Sequence, residues 1–207
     1  MSAEGDGGRK VASGRVIDLS VLVVNWNGAA LTGQCLDSLE RTRPPGLTLE
    51  IILVDNGSRP AEREAVRKRA RAEGIRLIEN ADNLGYARAN NQALAVAGGR
   101  YLLLLNNDTE VLAGALAGLV AFMDGHAGVG VAGPRLVDPD GRPRFSHDLF
   151  PLTPWRLAGE HLLDALWPAN PWTRRSRLRQ WGEDPQEPLA VDWVPGAAMM
   201  RSAAQAA

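Results

Sequence analysis

Four consecutive leucines, residues 102–105, run directly into the polar cluster Asn106-Asn107-Asp108-Thr109. A short apolar run bounded by polar residues is typical of a buried strand in a parallel sheet. Ligands of open α/β sheets bind outside the carboxyl ends of such strands. This feature therefore predicts an α/β fold and places Asp108 where a functional site is expected.

The same arrangement recurs along the chain, because short β-rich runs alternate with longer segments of helical periodicity. The predicted strands cover residues 19–24, 49–54, 75–78 and 102–105, and the predicted helices cover the segments around 31–39, 61–73, 87–97 and 113–123. Such alternation is the pattern of βαβ units and a parallel sheet. A further strand is predicted at 129–132, and Asp138-Pro139-Asp140-Gly141 is typical of a hairpin turn.

Polar loops follow each of the first four predicted strands. They contain Asn25 and Asn27, then Asp55, then Asn83, and finally the cluster that ends in Asp108. A single Asp after a strand is more often a helix N-cap than a ligand-binding residue. Four such loops at the carboxyl edge of one sheet predict instead a continuous polar rim with a binding function.

Two common nucleotide-binding motifs are missing from this rim. No G-x-G-x-x-G follows the first strand, and the chain contains no G-x-x-x-x-G-K-[ST] loop. The sequence therefore lacks the motifs that would identify a dinucleotide oxidoreductase or a P-loop ATPase. With 23 basic against 24 acidic residues, no whole-chain basic excess indicates a nucleic-acid partner. The remaining interpretation is a nucleotide pocket built from side chains and a metal ion.

Composition sets the outer limits of the prediction. A chain of 207 residues that is 45% hydrophobic can bury a sizeable core. Cys35, the single cysteine, excludes an internal disulfide, is predicted to be a core thiol, and favours a cytoplasmic location. The three histidines have neither metal-ligand nor triad spacing. Residues 1–15 are rich in Gly, Ser and charge and are predicted to form a disordered leader.

Five motifs follow one another along the chain, and each alone is a weak signal. They are VVNWNG at 23–28, VDNGS at 54–58, NLGYARANN at 83–91, LLNNDT at 104–109 and VPGAAMM at 194–200. In this order they resemble the motifs of the inverting, GT-A-fold glycosyltransferases of family 2, especially the bacterial rhamnosyltransferase-like branch, and the resemblance covers residues 17–201.

The resemblance implies a GT-A-like three-layer α/β/α sandwich over residues 16–207, with a mostly parallel sheet and a Rossmann-like nucleotide-binding half. It implies transfer of a sugar from a nucleoside diphosphate sugar, dTDP-rhamnose or a UDP-hexose, to a bacterial cell-surface glycan or a lipid-linked glycan. The alternative is a noncatalytic nucleotide-sugar-binding module. A sugar nucleotidylyltransferase is disfavoured because no G-x-G-x-R loop follows the first strand.

The family's functional positions map onto this polar rim. The resemblance implies that Asn25 and Asp55 line the base and ribose pocket, that Asn27 also belongs to the nucleotide-sugar-binding site, and that Asn83 closes over the nucleotide. Asn106, Asn107 and Asp108 occupy the place of the D-x-D motif, where the last Asp binds Mg²⁺ or Mn²⁺ at the diphosphate. The first two of these positions are Asn here, which is expected to weaken metal affinity in the absence of nucleotide.

The family's general base has no counterpart in this sequence. The resemblance places that Asp beyond Ala207, so we expect a C-terminally shortened member that keeps the donor site and turns over slowly, because a positioned base contributes about 10²- to 10⁴-fold. Asp192 is the nearest acidic residue, but it precedes the glycine turn at Gly196, where the family has no base.

Residues 150–188 are rich in tryptophan and arginine. An irregular insertion that packs its tryptophans against the sheet edge is the simpler prediction. The alternative is peripheral docking of residues 154–181 on an anionic membrane at the inner face of the plasma membrane, because Trp155, Leu162, Leu166 and Trp167 share one helical face beside an arginine cluster.

Overall fold

The structure, a computed structural model, describes residues 16–144, 162, 165–167, 188–191 and 194–206. The chain divides into two compact units, one formed by residues 1–132 and 196–207 and the other by residues 133–195. The expected leader (1–15), most of the expected insertion (150–188) and Asp192 lie outside the described residues.

The first unit alternates strands and helices as predicted. Its elements are β1 (Ile17–Asn25), α1 (Ala29–Arg41), β2 (Leu49–Asn56), α2 (Pro60–Glu73), β3 (Arg76–Asn80), α3 (Tyr86–Val96), β4 (Gly99–Asn106), α4 (Ala115–Gly125) and β5 (Val131–Ala132). After the second unit, β8 (Ala198–Ser202) and a 3₁₀-helix (Ala203–Ala206) complete it. The predicted strand at 129–132 is confirmed in its last two residues only.

A six-stranded sheet runs in the order β3-β2-β1-β4-β8-β5. The four predicted strands β1 to β4 are mutually parallel, whereas β8 is antiparallel to β4 and β5 is antiparallel to β8. The predicted mixed α/β class with a mostly parallel sheet is therefore confirmed.

Helices cover both faces of this sheet. On one face, Leu22, Ile52 and Leu104 pack with the small residues Ala89 and Ala93 of α3 into one buried cluster. Side chains alternate across a strand, so the intervening residues face the other way. Those residues are buried as well, and α1 and α2 pack against β1 and β2. The result is a three-layer sandwich whose strand ends, and not its faces, are open to ligands.

The predicted core thiol is confirmed. Cys35 is 1% exposed on α1, and its thiol lies 3.7 Å from the backbone oxygen of Asn106. Burial, with a smaller contribution from the Asp108 charge, raises the pKa of the Cys35 thiol to about 12. The thiol is therefore protonated at neutral pH and acts as a packing group.

In the second unit, the predicted hairpin is confirmed. Strands β6 (Leu136–Val137) and β7 (Pro143–Arg144) pair antiparallel. At the turn, the Asp138 amide donates to the Arg142 oxygen over 2.8 Å, and Gly141 takes a positive φ of 80°. Among the other described residues of this unit, Leu162, Leu166 and Trp167 are exposed. None of the described helices is both long and apolar enough to cross a membrane.

Candidate functional site

The carboxyl ends of β1, β2 and β4 meet at one edge of the sheet. The strand register places Asn25 beside Asp55 and Val24 beside Asn106. The polar loops predicted to form a rim are therefore neighbours in space, because parallel strands end on the same side.

The rim begins with a buried pair, Asn25 and Asp55, both 0% exposed. The Asn25 Nδ2 donates to Asp55 Oδ1 over 2.8 Å and to Ser58 Oγ over 3.1 Å. The Asn25 Oδ1 accepts from the Thr32 hydroxyl over 2.9 Å and from the Gly28 amide over 3.2 Å. All four hydrogen-bonding positions of the Asn25 amide are occupied, so its side chain is held in one orientation.

The Asp55 charge is compensated by α2. The Arg63 Nε donates to Asp55 Oδ2 over 3.3 Å, and its terminal nitrogen donates to the Asn80 oxygen over 2.9 Å. The Ser58 amide donates to the same Asp55 oxygen over 3.2 Å. A carboxylate removed from water needs such partners. Arg63 therefore holds the Asp55 side chain and also connects the ends of β2 and β3.

Asn27 has a backbone role in the loop after β1. It takes a positive φ of 53°, a conformation that Asn tolerates better than most residues. Its amide donates to Ser58 Oγ over 2.9 Å, and its Oδ1 accepts from the Arg59 amide over 2.8 Å. These two bonds tie the loop after β1 to the loop after β2.

Asn83 is held from below by a ladder of side-chain amides. The buried Asn56 Nδ2 donates to Asn83 Oδ1 over 2.8 Å, and Asn56 Oδ1 accepts from the Leu84 amide over 3.1 Å and from Asn80 Nδ2 over 3.0 Å. Asn80 is in turn paired with Gln92 of α3 through two bonds of 2.9 Å. These side-chain hydrogen bonds therefore hold the exposed loop that carries Asn83 in place.

The loop after β4 completes the rim. The Asn106 amide donates to the Ala197 oxygen over 2.9 Å, and Asn107 Nδ2 donates to the Thr32 hydroxyl over 3.1 Å. Asp108 is exposed, and its carboxylate has no hydrogen bond or ion pair with any described residue. Of the predicted residues, Asp108 is the one whose carboxylate is open to a ligand.

Tyr86, the first residue of α3, crosses from its helix to this loop. Its hydroxyl lies 3.1 Å from both Asn106 Oδ1 and the Gly196 oxygen. Burial of the phenol, together with the negative charge of Asp108, raises the Tyr86 pKa, whereas a side-chain hydrogen bond from Asn90 lowers it. Tyr86 is therefore a neutral hydrogen-bond donor at physiological pH.

The described residues contain no group of three or more His, Cys, Asp and Glu side chains that could enclose a metal ion. Mg²⁺ is commonly held by one or two carboxylates, with waters and substrate phosphates as its remaining ligands. The exposed Asp108 carboxylate, which has no partner among the residues that the structure describes, fits that mode of binding. The rim is thus compatible with a cation that arrives with a diphosphate.

The structure brings all seven predicted residues to this edge. Asn25, Asp55 and Asn107 belong to one hydrogen-bonded chain, and Asn83 accepts a hydrogen bond from Asn56, the residue that follows Asp55. Four residues that contribute to the site were not predicted to do so, namely Thr32, Ser58, Arg63 and Tyr86. Position 58 could have been found, since an Asp side chain commonly accepts from a backbone amide a few residues later, as Asp55 does from the Ser58 amide.

The sequence profile of the family described as "Glycosyl transferase family 2" matches residues 20–203. Over 95 residues the chain is 30% identical to the poly(ribitol-phosphate) beta-glucosyltransferase of Bacillus spizizenii (strain ATCC 23059 / NRRL B-14472 / W23), which corresponds to 45% of this chain and 15% of that protein.

Two solved structures share the fold. The mannosyltransferase PcManGT from Pyrobaculum calidifontis, in complex with GDP-Man and Mn²⁺, is 29% identical with a TM-score of 0.50, over 55% of this chain and 34% of that one. S. aureus TarS 1-349 in complex with UDP-GlcNAc is 25% identical with a TM-score of 0.53, over 62% and 38% of the respective chains. The chain spans between 10% and 15% of the length of the curated relatives that it matches.

Proposed function

Since the chain belongs to glycosyl transferase family 2, we propose that it binds a nucleoside diphosphate sugar along the polar rim and transfers the sugar to a cell-surface glycan. One observation carries this proposal. The rim has a buried, hydrogen-bonded Asn25–Asp55 pair at one end and, at the other, the exposed Asp108 carboxylate, which has no partner among the described residues. These two ends suit a nucleoside and a cation-bound diphosphate respectively.

We assign the nucleoside to the Asp55 end. Two carboxylate oxygens offer about four acceptor positions, and Asn25, Ser58 and Arg63 occupy three of them. The remaining position can accept from a pyrimidine N–H or a ribose hydroxyl. Because Asp55 is fully buried, we propose that the Arg63 side chain, which is 27% exposed, turns outward to admit this contact. Asn27 shapes the loop that faces the nucleoside.

We assign the diphosphate to the Asp108 end, with Mg²⁺ or Mn²⁺ held by Asp108 and the phosphates. A divalent cation there offsets the negative charge that develops on the departing nucleoside diphosphate. Asn106 and Asn107 orient the loop that carries Asp108, through bonds to Ala197 and Thr32. The Mn²⁺ in the mannosyltransferase complex supports this assignment.

We propose dTDP-rhamnose or a UDP-hexose as the donor and a teichoic-acid-type or other bacterial surface glycan as the acceptor. Asn83, on the supported loop before α3, closes over the nucleotide. The UDP-GlcNAc complex of TarS supports a UDP-sugar as the donor. The name of the B. spizizenii relative supports an anionic polymer as the acceptor. The rhamnosyltransferase-like branch remains part of this proposal, based on the motifs of the rim.

Calorimetric titration with UDP and dTDP, with and without Mn²⁺, tests the proposal. We expect binding that Mn²⁺ strengthens, and we expect Asp108→Ala to abolish the Mn²⁺ effect. Glu110→Ala is the matched control, because Glu110 is an exposed carboxylate two residues away that pairs with Arg41 on the surface. Absence of nucleotide binding by folded protein would refute the proposal.

Transfer is tested separately from binding. Release of UDP from UDP-sugars in the presence of poly(ribitol phosphate) distinguishes a transferase from the alternative, a noncatalytic nucleotide-sugar-binding module. Nucleotide binding without transfer to any of a panel of surface glycans would favour that alternative.

We further propose that residues 154–181 contact an anionic membrane, where lipid-linked acceptors are located. The exposure of Leu162 (63%), Leu166 (76%) and Trp167 (57%) supports this. Co-sedimentation with vesicles should increase with the fraction of anionic lipid and decrease in Leu162→Ser/Leu166→Ser. Sedimentation that is independent of anionic lipid would refute the contact.

A further inference from the structure

Three hydrogen bonds connect the two ends of the rim through one buried hydroxyl. Asn107 Nδ2 donates to Thr32 Oγ1 over 3.1 Å, Thr32 Oγ1 donates to Asn25 Oδ1 over 2.9 Å, and Asn25 Nδ2 donates to Asp55 Oδ1 over 2.8 Å. We call this series the Thr32 relay. It runs from the end of β4 through α1 and the end of β1 to the end of β2.

The direction of every bond in the Thr32 relay is fixed by chemistry. The Asp55 carboxylate can only accept, so the Asn25 NH₂ group must face it. The Gly28 amide can only donate, and it faces the Asn25 oxygen over 3.2 Å. The Thr32 hydroxyl has a single hydrogen, which it gives to that same oxygen. The hydroxyl can therefore only accept from Asn107.

This direction decides which atom of the Asn107 amide is left for a ligand. The Asn107 NH₂ group faces Thr32, so the Asn107 Oδ1 faces away from it. A Cβ atom added to Gly28 would lie 2.9 Å from Asn107 Nδ2, so the Asn107 amide lies close against the Gly28 backbone. Thr32 is 2% exposed, and its hydroxyl is therefore shielded from competing water.

We propose that Thr32 is a positioning residue that sets the orientation of the Asn107 amide, and through it the Asp108 loop, for a cation-bound diphosphate. The proposal rests on the function proposed above. Asn25 keeps bonds to Asp55, Ser58 and Gly28 when the Thr32 hydroxyl is removed, whereas the Asn107 side chain has no other hydrogen bond among the described residues. The loss should therefore fall on the diphosphate end and spare the nucleoside end.

The test compares Thr32→Val, which keeps the shape and removes the hydroxyl, with Thr32→Ser, which keeps the hydroxyl. We expect Thr32→Val to weaken UDP binding in Mn²⁺ by about 3- to 10-fold, the worth of one buried hydrogen bond. UMP binding without Mn²⁺ should be unchanged. Thr32→Ser should match the wild type in both measurements. Equal UDP affinities for Thr32→Val and the wild type would overturn the proposal.

A double-mutant cycle locates the effect. If Thr32 acts through Asn107, then Thr32→Val should cause no further loss of UDP affinity in an Asn107→Ala background. Additive losses would overturn the relay as the route. If Thr32→Val is poorly folded, Thr32→Ala takes its place in the cycle.

A spectroscopic measurement on the nucleotide-free protein separates the failure of this proposal from the failure of the proposed function. The side-chain amide resonances of Asn107 should shift in Thr32→Val and stay in place in Thr32→Ser. If the wild type binds no nucleotide, the proposed function fails, and this measurement alone decides the relay. Unchanged Asn107 resonances in Thr32→Val would overturn it.

Discussion

The backbone of Asp82 lies directly on Gly57. A Cβ atom added to Gly57 would be 2.3 Å from the Asp82 carbonyl carbon, a distance that real contacts do not reach. Gly57 also has a φ of +78°, which disfavours any side chain. The loop after β3 therefore approaches the rim only because residue 57 is glycine.

Gly57→Ala should consequently destabilise the protein and displace the loop that carries Asn83. A side chain at this positive φ alone should lower the free energy of unfolding by about 1 kcal/mol. The contact with the Asp82 backbone should raise the total loss above about 2 kcal/mol. Urea unfolding measures the loss. Gly74→Ala is the matched control, because Gly74 has a φ of +66° with nothing within 4 Å of an added Cβ. If both variants lost the same free energy of unfolding, the contact of the added Cβ with Asp82 would carry no energetic cost, and the prediction would be wrong.

Removal of Arg63 should expose the energetic cost of burying Asp55. Arg63→Met keeps most of the aliphatic stem and leaves the Asp55 carboxylate with two donors, Asn25 and Ser58. We expect a loss of about 2–3 kcal/mol in the free energy of unfolding. Arg67→Met on the same helix should change it little, because Arg67 pairs with Glu64 and Glu79 at the surface. A similar loss in both variants would contradict a specific role for the Arg63–Asp55 pair.

The periodicity of the sequence was sufficient to predict the parallel half of the sheet. Strands β1, β2 and β4 are largely apolar runs that end in Asn, and burial on both faces requires that pattern. The antiparallel β8 pairs with β4, although residues 133–195 lie between these two strands in the sequence. Strand direction after so long a connection leaves no mark in local periodicity. The direction of β8 is therefore seen only in the structure.

The site was predictable where its residues end strands and not where they lie on helices. Asn25, Asp55 and Asn106 stand out because polar residues interrupt apolar runs. Arg63 was hidden in the charged segment 61–73, where it resembles its solvated neighbours, and only the fold shows that it faces a buried carboxylate. Thr32 was hidden likewise, because a hydroxyl on the buried face of an amphipathic helix is indistinguishable by sequence from an ordinary core position.

The high pKa of Cys35 predicts a loss of stability in alkali. The folded protein keeps this thiol protonated up to about pH 12, whereas the unfolded chain releases the proton near its ordinary value of 9.0. The unfolded state therefore binds fewer protons above pH 9, and stability falls as the pH rises, by about 1.4 kcal/mol per unit at most. Unfolding free energies at pH 8 and pH 10 should differ more for the wild type than for Cys35→Ala. Equal differences would contradict a shifted thiol.

The amide ladder beneath Asn83 yields the last prediction. Asn56→Asp keeps the size and the acceptor for Leu84 but replaces the group that donates to Asn83 Oδ1 with an acceptor. Two oxygens would then face each other in a position that is 2% exposed. We expect the free energy of unfolding to fall by about 1–3 kcal/mol at pH 7. Amide hydrogen exchange at Leu84 and Gly85 should become faster.

The pH dependence of this variant provides an internal check. A protonated carboxyl can donate to Asn83 again, so the loss in Asn56→Asp should shrink as the pH falls, with the wild type measured alongside. Asn91→Asp, on the exposed face of α3, controls for the added charge and should leave the exchange of Leu84 and Gly85 unchanged. If the loss were the same at every pH, the added carboxyl would not face Asn83, and the ladder would not be the support of the loop.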